Sequence, residues 1–337
     1  MTMNQRLDLS ATYLGIPLPN PLVVGASPLG DELDTVKQLE DAGAAAIVLR
    51  SLFEEQLRRE QMADYVHQES HADSFAEAAT YFPSPDSFVF GPEEYLNHLR
   101  RAKEAVHMPL IGSINGVTPG GWLSYGKLIE QAGADALELN VYHAGLDPEI
   151  SGADVESQTI QMVRAVKGGL RIPVAVKLSP FYTSFAHFAI ELDRAGADGL
   201  VLFNRFYESD IDVQELAVKP TLHLSNSSEL LLRLRGIAAL APRVKASLAV
   251  TGGVHTALDV VKSTMAGAQV TQMVSALLQK GPSYVLQVLA ELQTWMVEND
   301  WSSLQEMRGN MSVERVPDPE IYARANYMMM LQSWEDV

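Results

Sequence analysis

Residues 132–145 read Ala-Gly-Ala-Asp-Ala-Leu-Glu-Leu-Asn-Val-Tyr-His-Ala-Gly. A glycine between alanines closes a helix, because glycine takes left-handed backbone at no steric cost. An apolar strand, Ala136–Leu139, follows at once and ends in Asn140, Tyr142 and His143, groups able to bind and to move protons. The same join recurs at Ala42-Gly43, Ala195-Gly196 and Ala266-Gly267, each time followed by Ala and an apolar run. Small residues at such joins let the chain enter a crowded parallel sheet. Working outward, the apolar runs are Leu22–Gly25, Ala45–Leu49, Leu110–Ser113, Ala136–Leu139, Val174–Leu178, Leu200–Phe203, Leu248–Thr251 and Val270–Val274. Continuous apolar strands alternating with amphipathic helices, such as Asp31–Ala42, predict a parallel sheet covered on its outer face. Eight such units predict an α/β fold of the (β/α)8 TIM barrel type, with its site at the C-terminal strand ends. The competing architecture is an open doubly wound sheet, which the lack of a Gly-x-Gly-x-x-Gly after the first strand disfavours.

The rest of the chain fits around this barrel. Leu7–Asn20, with Gly15, Pro17 and Pro19, predicts an N-terminal hairpin. Long insertions follow strand two (Arg50–Gly91) and strand six (Asn204–Asn226), and such segments form lids or walls of sites. A helix over Ser283–Glu298 completes the eighth unit. The expected division is one barrel domain over 1–299 and a C-terminal helical tail over 300–337, packing on the barrel or on a neighbouring subunit.

Of the 337 residues, 47% are hydrophobic and 20% charged, as a large folded core requires. The net charge of −17 and the absence of any basic run exclude a nucleic-acid surface and argue against an anionic membrane. The N-terminus lacks a signal-peptide core and no apolar run can span a bilayer, so a soluble cytoplasmic protein is expected. Cysteine is absent, which excludes disulfides, cysteine-ligated zinc or iron–sulfur clusters, and a cysteine base. No metal site is expected.

The strand ends carry the chemistry. Lys177 sits inside the apolar run Ala-Val-Lys-Leu-Ser-Pro, where an ammonium needs a polar partner. It is either ion-paired with Glu138 or a neighbour, or a fixed cation at the barrel mouth serving an anionic cofactor or a Schiff base. Thr251-Gly252-Gly253 ends strand seven and exposes backbone N–H groups. With Val274 and Ser275 ending strand eight, it predicts the phosphate site that barrels build there.

Five motifs in one order carry a resemblance: Ser-Ile-Asn-Gly (113–116), Glu-Leu-Asn (138–140), Val-Lys-Leu-Ser-Pro (176–180), Thr-Gly-Gly-Val (251–254) and Gly-Ala-Gln-Val-Thr-Gln-Met-Val-Ser-Ala-Leu (267–277). From about Leu14 to Val297 the chain resembles the dihydroorotate dehydrogenase family, FMN-containing barrels, and most of all its soluble class 1 members. The resemblance implies FMN as cofactor, a small-molecule substrate and a homodimer. It implies that Ala26 and Ser27 lie along the flavin, with Arg50 (often Lys in the family), Ser51 and Asn115 at its edge. Asn140 would be shared by flavin and substrate, and Lys177 would stabilise negative charge on the reduced ring. Thr251, Gly252, Gly253, Val274 and Ser275 would hold the phosphate end. Asn204, followed by Arg205, would face the substrate.

The chain also departs from that family. The family's base, Cys or Ser, follows the strand-four Asn by three positions; here His143 stands there, after Tyr142. A further substrate Asn falls on Gly145, a Ser or Thr falls on Arg205, and Thr80–Phe90 has no clean match to the Asn-rich substrate segment. Imidazole accepts a proton near neutral pH without prior activation, whereas a phenol is better suited to protonating. The implied activity is oxidation or reduction of a CH–CH bond next to a carbonyl, with dihydroorotate or another cyclic imide or enoate as substrate, in pyrimidine biosynthesis if dihydroorotate. Alternatives are a Schiff-base aldolase using Lys177 and a flavin-binding subunit of a larger redox complex.

Overall fold

A computed structural model describes residues 7–54, 92–116, 119–143, 145–205, 209–322 and 327–332. The hairpin is present as β1 (Ala11–Tyr13) against β2 (Ile16–Leu18). Barrel strands and helices then alternate: β3 (Leu22–Val24), α1 (Leu33–Asp41), β4 (Ala46–Val48), a short β5 (Leu52–Phe53), α2 (Pro92–Ala105), β6 (Leu110–Asn115), α3 (Pro119–Gln131), β7 (Ala136–Asn140) and α4 (Gly152–Gly169). They continue as β8 (Val174–Leu178), α5 (Phe185–Arg194), β9 (Gly199–Leu202), a hairpin of β10 (Ser209–Asp212) and β11 (Ala217–Pro220), α6 (Leu230–Leu240), β12 (Ser247–Thr251), α7 (Ala257–Ala266), β13 (Val270–Met273), α8 (Ser275–Lys280) and α9 (Tyr284–Glu298). Parallel pairing runs β3-β4-β6-β7-β8-β9-β12-β13 and closes when β13 pairs with β3. The expected TIM barrel is therefore the fold, and the open sheet is excluded. Most of the strand-two insertion, including Thr80–Phe90, lies outside the described residues.

The recurring Ala-Gly joins behave as their composition predicts. Gly43, Gly133, Gly196 and Gly267 have φ of 93°, 98°, 100° and 128°. Beyond each of the last three, a polar side chain closes a reciprocal pair with the preceding barrel strand. Asp135 donates its N–H to the Leu110 carbonyl (2.9 Å) and accepts the Leu110 N–H (2.7 Å). Asp198 does the same with Val174, at 2.8 and 2.7 Å, and Gln269 with Leu248, at 2.8 and 2.7 Å. Three residues before three of these glycines, Glu40, Glu130 and Asp193 each accept two N–H groups from the segment leading into a strand. Their donors are His107 and Met108, Arg171 and Ile172, and Lys245 and Ala246. Carboxylates thus satisfy backbone donors where each strand begins.

The hydrophobic interior has two layers. Between sheet and helices lies the larger one, which includes Leu39, Ile47, Leu99, Ile129, Val163 and Phe188. Inside the barrel, Tyr13, Leu14 and Leu18 of the hairpin meet Ala46, Ala136, Ala175, Val201 and Ala249, so the hairpin plugs the N-terminal end. Small inward residues make room for the plug: a Cβ on Gly199 would come within 2.5 Å of Leu14 Cδ2. With one end plugged, the C-terminal ends are left to form a cleft.

Candidate active site

A cleft of about 1010 Å³ opens at the C-terminal strand ends. That is the upper end of the range for small-molecule sites, with room for a cofactor and a substrate together. Its lining includes each of Ala26, Ser27, Arg50, Ser51, Asn115, Asn140, Tyr142, His143, Lys177, Asn204, Arg205, Thr251, Gly252, Gly253, Val274 and Ser275. The sixteen positions singled out in the sequence therefore converge on one cavity, although they span 250 positions of chain.

A hydrogen-bonded relay of side chains crosses its floor. Asn204 Nδ2 donates to Asn140 Oδ1 (2.6 Å), and Asn140 Nδ2 donates to Ser51 Oγ (3.2 Å). Ser51 Oγ lies 2.7 Å from Ser113 Oγ. Tyr95 buttresses Ser113, accepting its N–H at 3.0 Å, and burial pushes the Tyr95 phenol far above its ordinary value. Four strand ends are thereby tied into one polar array. Arg50 grips Asp31 through both Nε and Nη2, a fork that fixes its guanidinium at the cleft edge.

Beside this relay lies a charged group. Lys177, in register with Asn140, places Nζ 3.5 Å from Glu138 Oε1. Glu138 is 1% exposed, and its other oxygen accepts from Gln272 Nε2 at 2.8 Å. At 3.5 Å the ammonium attracts Oε1 without hydrogen-bonding it, and among the described residues Oε1 has no hydrogen-bond partner. Tyr13 lies near Gln272 and Glu138; burial first, and then the Glu138 charge, push its ionisation well up, against a smaller opposing effect of Gln272, so it stays neutral.

The wall after strand four differs in character. Tyr142 is half-buried, whereas His143 is exposed at the rim. Gly145 donates its N–H to His143 Nδ1 at 3.1 Å, which places the ring proton of the neutral imidazole on Nε2. Gly145 itself has φ of 66°, the left-handed backbone that closes this small turn.

At the opposite end, Gly252 and Gly253 both have positive φ, 84° and 80°. A Cβ on Gly253 would lie 2.4 Å from the Leu230 nitrogen, so only glycine fits. Ser225 donates both its N–H and its hydroxyl to Ser275 Oγ, at 3.1 and 3.0 Å. His255 Nε2 is 3.1 Å from Ser225 Oγ, and burial lowers the His255 pKa. With Ser225 donating to Ser275, Ser275 Oγ accepts twice and its own O–H stays available to a ligand in the cleft. Arg233 from α6 reaches the same end; it is 6% exposed. Arg233, Ser225 and His255 were not assigned roles from the sequence, whereas Glu138 was expected as a partner of Lys177 and is one. Arg233 hides among leucines in a helix, and only the acidic-aromatic insertion ending at Asn226 hinted at Ser225. From that same insertion, Leu222 and Leu224 wall the cleft.

This cleft fits a phosphorylated flavin. It offers a row of amide and hydroxyl groups, a cation beside them, and a glycine-lined end with hydroxyl and guanidinium donors. A family model described as dihydroorotate dehydrogenase matches residues 89–296. The NAD-dependent dihydropyrimidine dehydrogenase subunit PreA of Escherichia coli K12 is 26% identical, over 93% of this chain and 79% of that protein. The catalytic subunit of dihydroorotate dehydrogenase B (NAD(+)) from Thermoplasma acidophilum is 27% identical, over 90% of this chain and 98% of that protein. The corresponding protein of Pyrococcus abyssi is 28% identical, over 89% and 98%. With its barrel, its strand-end motifs and a match across more than half its length, the chain belongs to the dihydroorotate dehydrogenase family, whose members are flavin-dependent, and is an oxidoreductase.

Proposed function

We propose that this chain is an FMN-dependent oxidoreductase acting on the CH–CH bond next to a carbonyl in a dihydropyrimidine-type ring. The observation that carries the reading is the relay Asn204–Asn140–Ser51–Ser113 alongside the Lys177–Glu138 pair. Fixed amides and hydroxyls suit the alternating donors and acceptors of a flavin pyrimidine edge and of a cyclic imide. The names of two relatives, one for dihydropyrimidine and one for dihydroorotate, share that ring. Membership of an oxidoreductase family replaces the Schiff-base alternative for Lys177.

When bound, FMN supplies the two-electron acceptor and donor. Asn140 orients both flavin and substrate from the middle of the relay, and Asn204 holds the substrate side. Lys177 would hold a positive charge beside the bound flavin, where it would stabilise the negative charge of the reduced ring. Arg50, held by Asp31, stays at the flavin edge. Arg205 is the cation beside Asn204 available to a substrate carboxylate. His143 exchanges the proton on the neighbouring carbon, with Tyr142 beside it as a donor in the reductive direction. Taking up a proton at Nδ1 breaks the bond from Gly145, so proton transfer by His143 requires the 143–145 turn to open. Phe203 is a buried apolar side chain in the cleft lining, and Leu222 and Leu224 line its edge.

A second reading concerns the electron acceptor. The relatives are named as subunits, and a chain without cysteine cannot hold a cysteine-ligated cluster of its own. We therefore assign reoxidation of the flavin to a partner redox protein. One anaerobic experiment tests these assignments: titration of the FMN-loaded protein with dihydroorotate and with dihydrouracil, followed by addition of NAD. Bleaching by either substrate is expected, and His143→Ala should slow it roughly 100-fold. A yellow protein bleached by neither compound would overturn the substrate class. A chain that takes up no flavin would overturn the cofactor, and rapid reoxidation by NAD alone would remove the need for a partner.

A further inference from the structure

Arg233 is charged and almost fully buried, a combination that ordinarily requires a close carboxylate. Among the described residues the nearest is Glu229 Oε2, at 4.0 Å from Nη2, and Glu229 is one-third exposed. The other donors of the guanidinium are committed to backbone: Nε to the Thr251 carbonyl (3.1 Å) and Nη1 to the Glu229 carbonyl (2.7 Å). These two bonds fix the plane of the group against the end of strand seven. Nη2 is left facing Gly252, where a Cβ would come within 2.9 Å of it. The missing side chain at Gly252 keeps the path from the cleft to Nη2 open. Burial lowers the Arg233 pKa and the Glu229 charge offsets this only in part, so the guanidinium stands incompletely compensated at this end of the cleft.

We propose that Arg233 is a direct ligand of the phosphate carried by the bound flavin, and that it makes the cleft selective for FMN over unphosphorylated riboflavin. This rests on the FMN reading above. The phosphate would complete two donors at once, Nη2 of Arg233 and the Ser275 hydroxyl, beside the Gly253 N–H, which Ser225 Oγ holds only at 3.4 Å. A glycine-lined loop alone binds phosphate through neutral N–H groups. A fixed guanidinium adds full charge and makes affinity depend on the ionised phosphate.

Fluorescence titration of the full chain, stripped of flavin, with FMN and with riboflavin tests this. Wild type should bind FMN far more tightly than riboflavin. Arg233→Gln should weaken FMN by about 10- to 100-fold, the usual worth of a hydrogen bond to a charged group, and leave riboflavin within twofold. Arg233→Lys should retain part of the preference. Equal weakening of both ligands would show that Arg233 only supports the strand end and would overturn the proposal, as would an unchanged ratio. If Arg233→Gln does not fold, the wild-type ratio against salt decides. A preference that falls as salt rises supports the charge contact, and a salt-independent preference overturns it. Wild type binding neither flavin would overturn the FMN reading itself, a result distinct from a change confined to the ratio.

Discussion

Glu138 is buried, with one oxygen hydrogen-bonded by Gln272 and the other facing Lys177 at 3.5 Å without a hydrogen bond. Moving a carboxylate out of water costs several kcal/mol, and the attraction of one ammonium repays it only in part. The pair is thus poor at stabilising the fold and well placed to fix a cation under the cleft. The two partners also differ in their access to water. Lys177 borders the cleft, whereas Glu138 is sealed beneath it. Lys177→Met should accordingly cost about 3–5 kcal/mol, because it strands a buried carboxylate. Glu138→Gln should cost less, about 1–3 kcal/mol, because the ammonium can draw water from the cleft. The double variant, E138Q/K177M, should recover at least half of the K177M loss. Urea unfolding of the flavin-free proteins measures all three, and strictly additive losses would show that the two charges do not act as a pair.

At the scale of elements, the barrel repeats one device: a helix ends at a glycine with positive φ, and the polar residue just beyond it pairs with the neighbouring strand. Asp198 accepts the N–H of Val174, which is fully buried, and also binds Lys167. Asp198→Ala leaves that N–H without a partner and should cost about 1–3 kcal/mol. Asp198→Asn keeps an acceptor oxygen and should recover most of the loss. Thermal melts that rank the two variants equally would sink this account. The glycines and the apolar runs of this device are legible in the sequence because their requirement is local: a positive φ at one position and burial on both faces for a few residues. Lys177 was legible for the same reason, as a charge inside an apolar strand. The work of Asp135, Asp198 and Gln269 was not, since each partner lies 21 to 25 residues away on another strand. Arg233 escaped for a related reason. Among the leucines of α6 it reads as one more surface arginine, and only the closed barrel brings it to Gly252.

For the molecule as a whole, the question is where the barrel ends. A boundary at 299/300 follows from the eighth helix in the sequence, but the contacts run on past it. Ser302 accepts the Asp8 N–H, and Asp8 in turn accepts the Leu304 N–H, both at 3.0 Å, so the segment leading into the hairpin is held by the chain after α9. Gly309, Met311 and Val313 donate to the carbonyls of Thr264, Met265 and Ala238, capping the ends of α6 and α7. Leu304 and Met307 are 4% and 0% exposed. We propose that residues 301–316 belong to the barrel, while Tyr327, Met328, Leu331 and Gln332 further on are exposed. Burial of two large apolar side chains stabilises by about 3–6 kcal/mol, a sizeable share of the roughly 5–15 kcal/mol that holds a native protein together. Truncation after Asp300 should therefore lower Tm by roughly 10 °C or more and loosen the hairpin, which loses its tie at Asp8. Truncation after Tyr322 should shift Tm by only a few degrees. Amide exchange would locate the effect: faster exchange at Leu14, whose N–H is bonded to Ser247 Oγ at the plugged end, is expected in the shorter chain alone. A chain ending at Asp300 that melts with the full-length protein would place the boundary back at α9 and reduce residues 301–316 to an appendage.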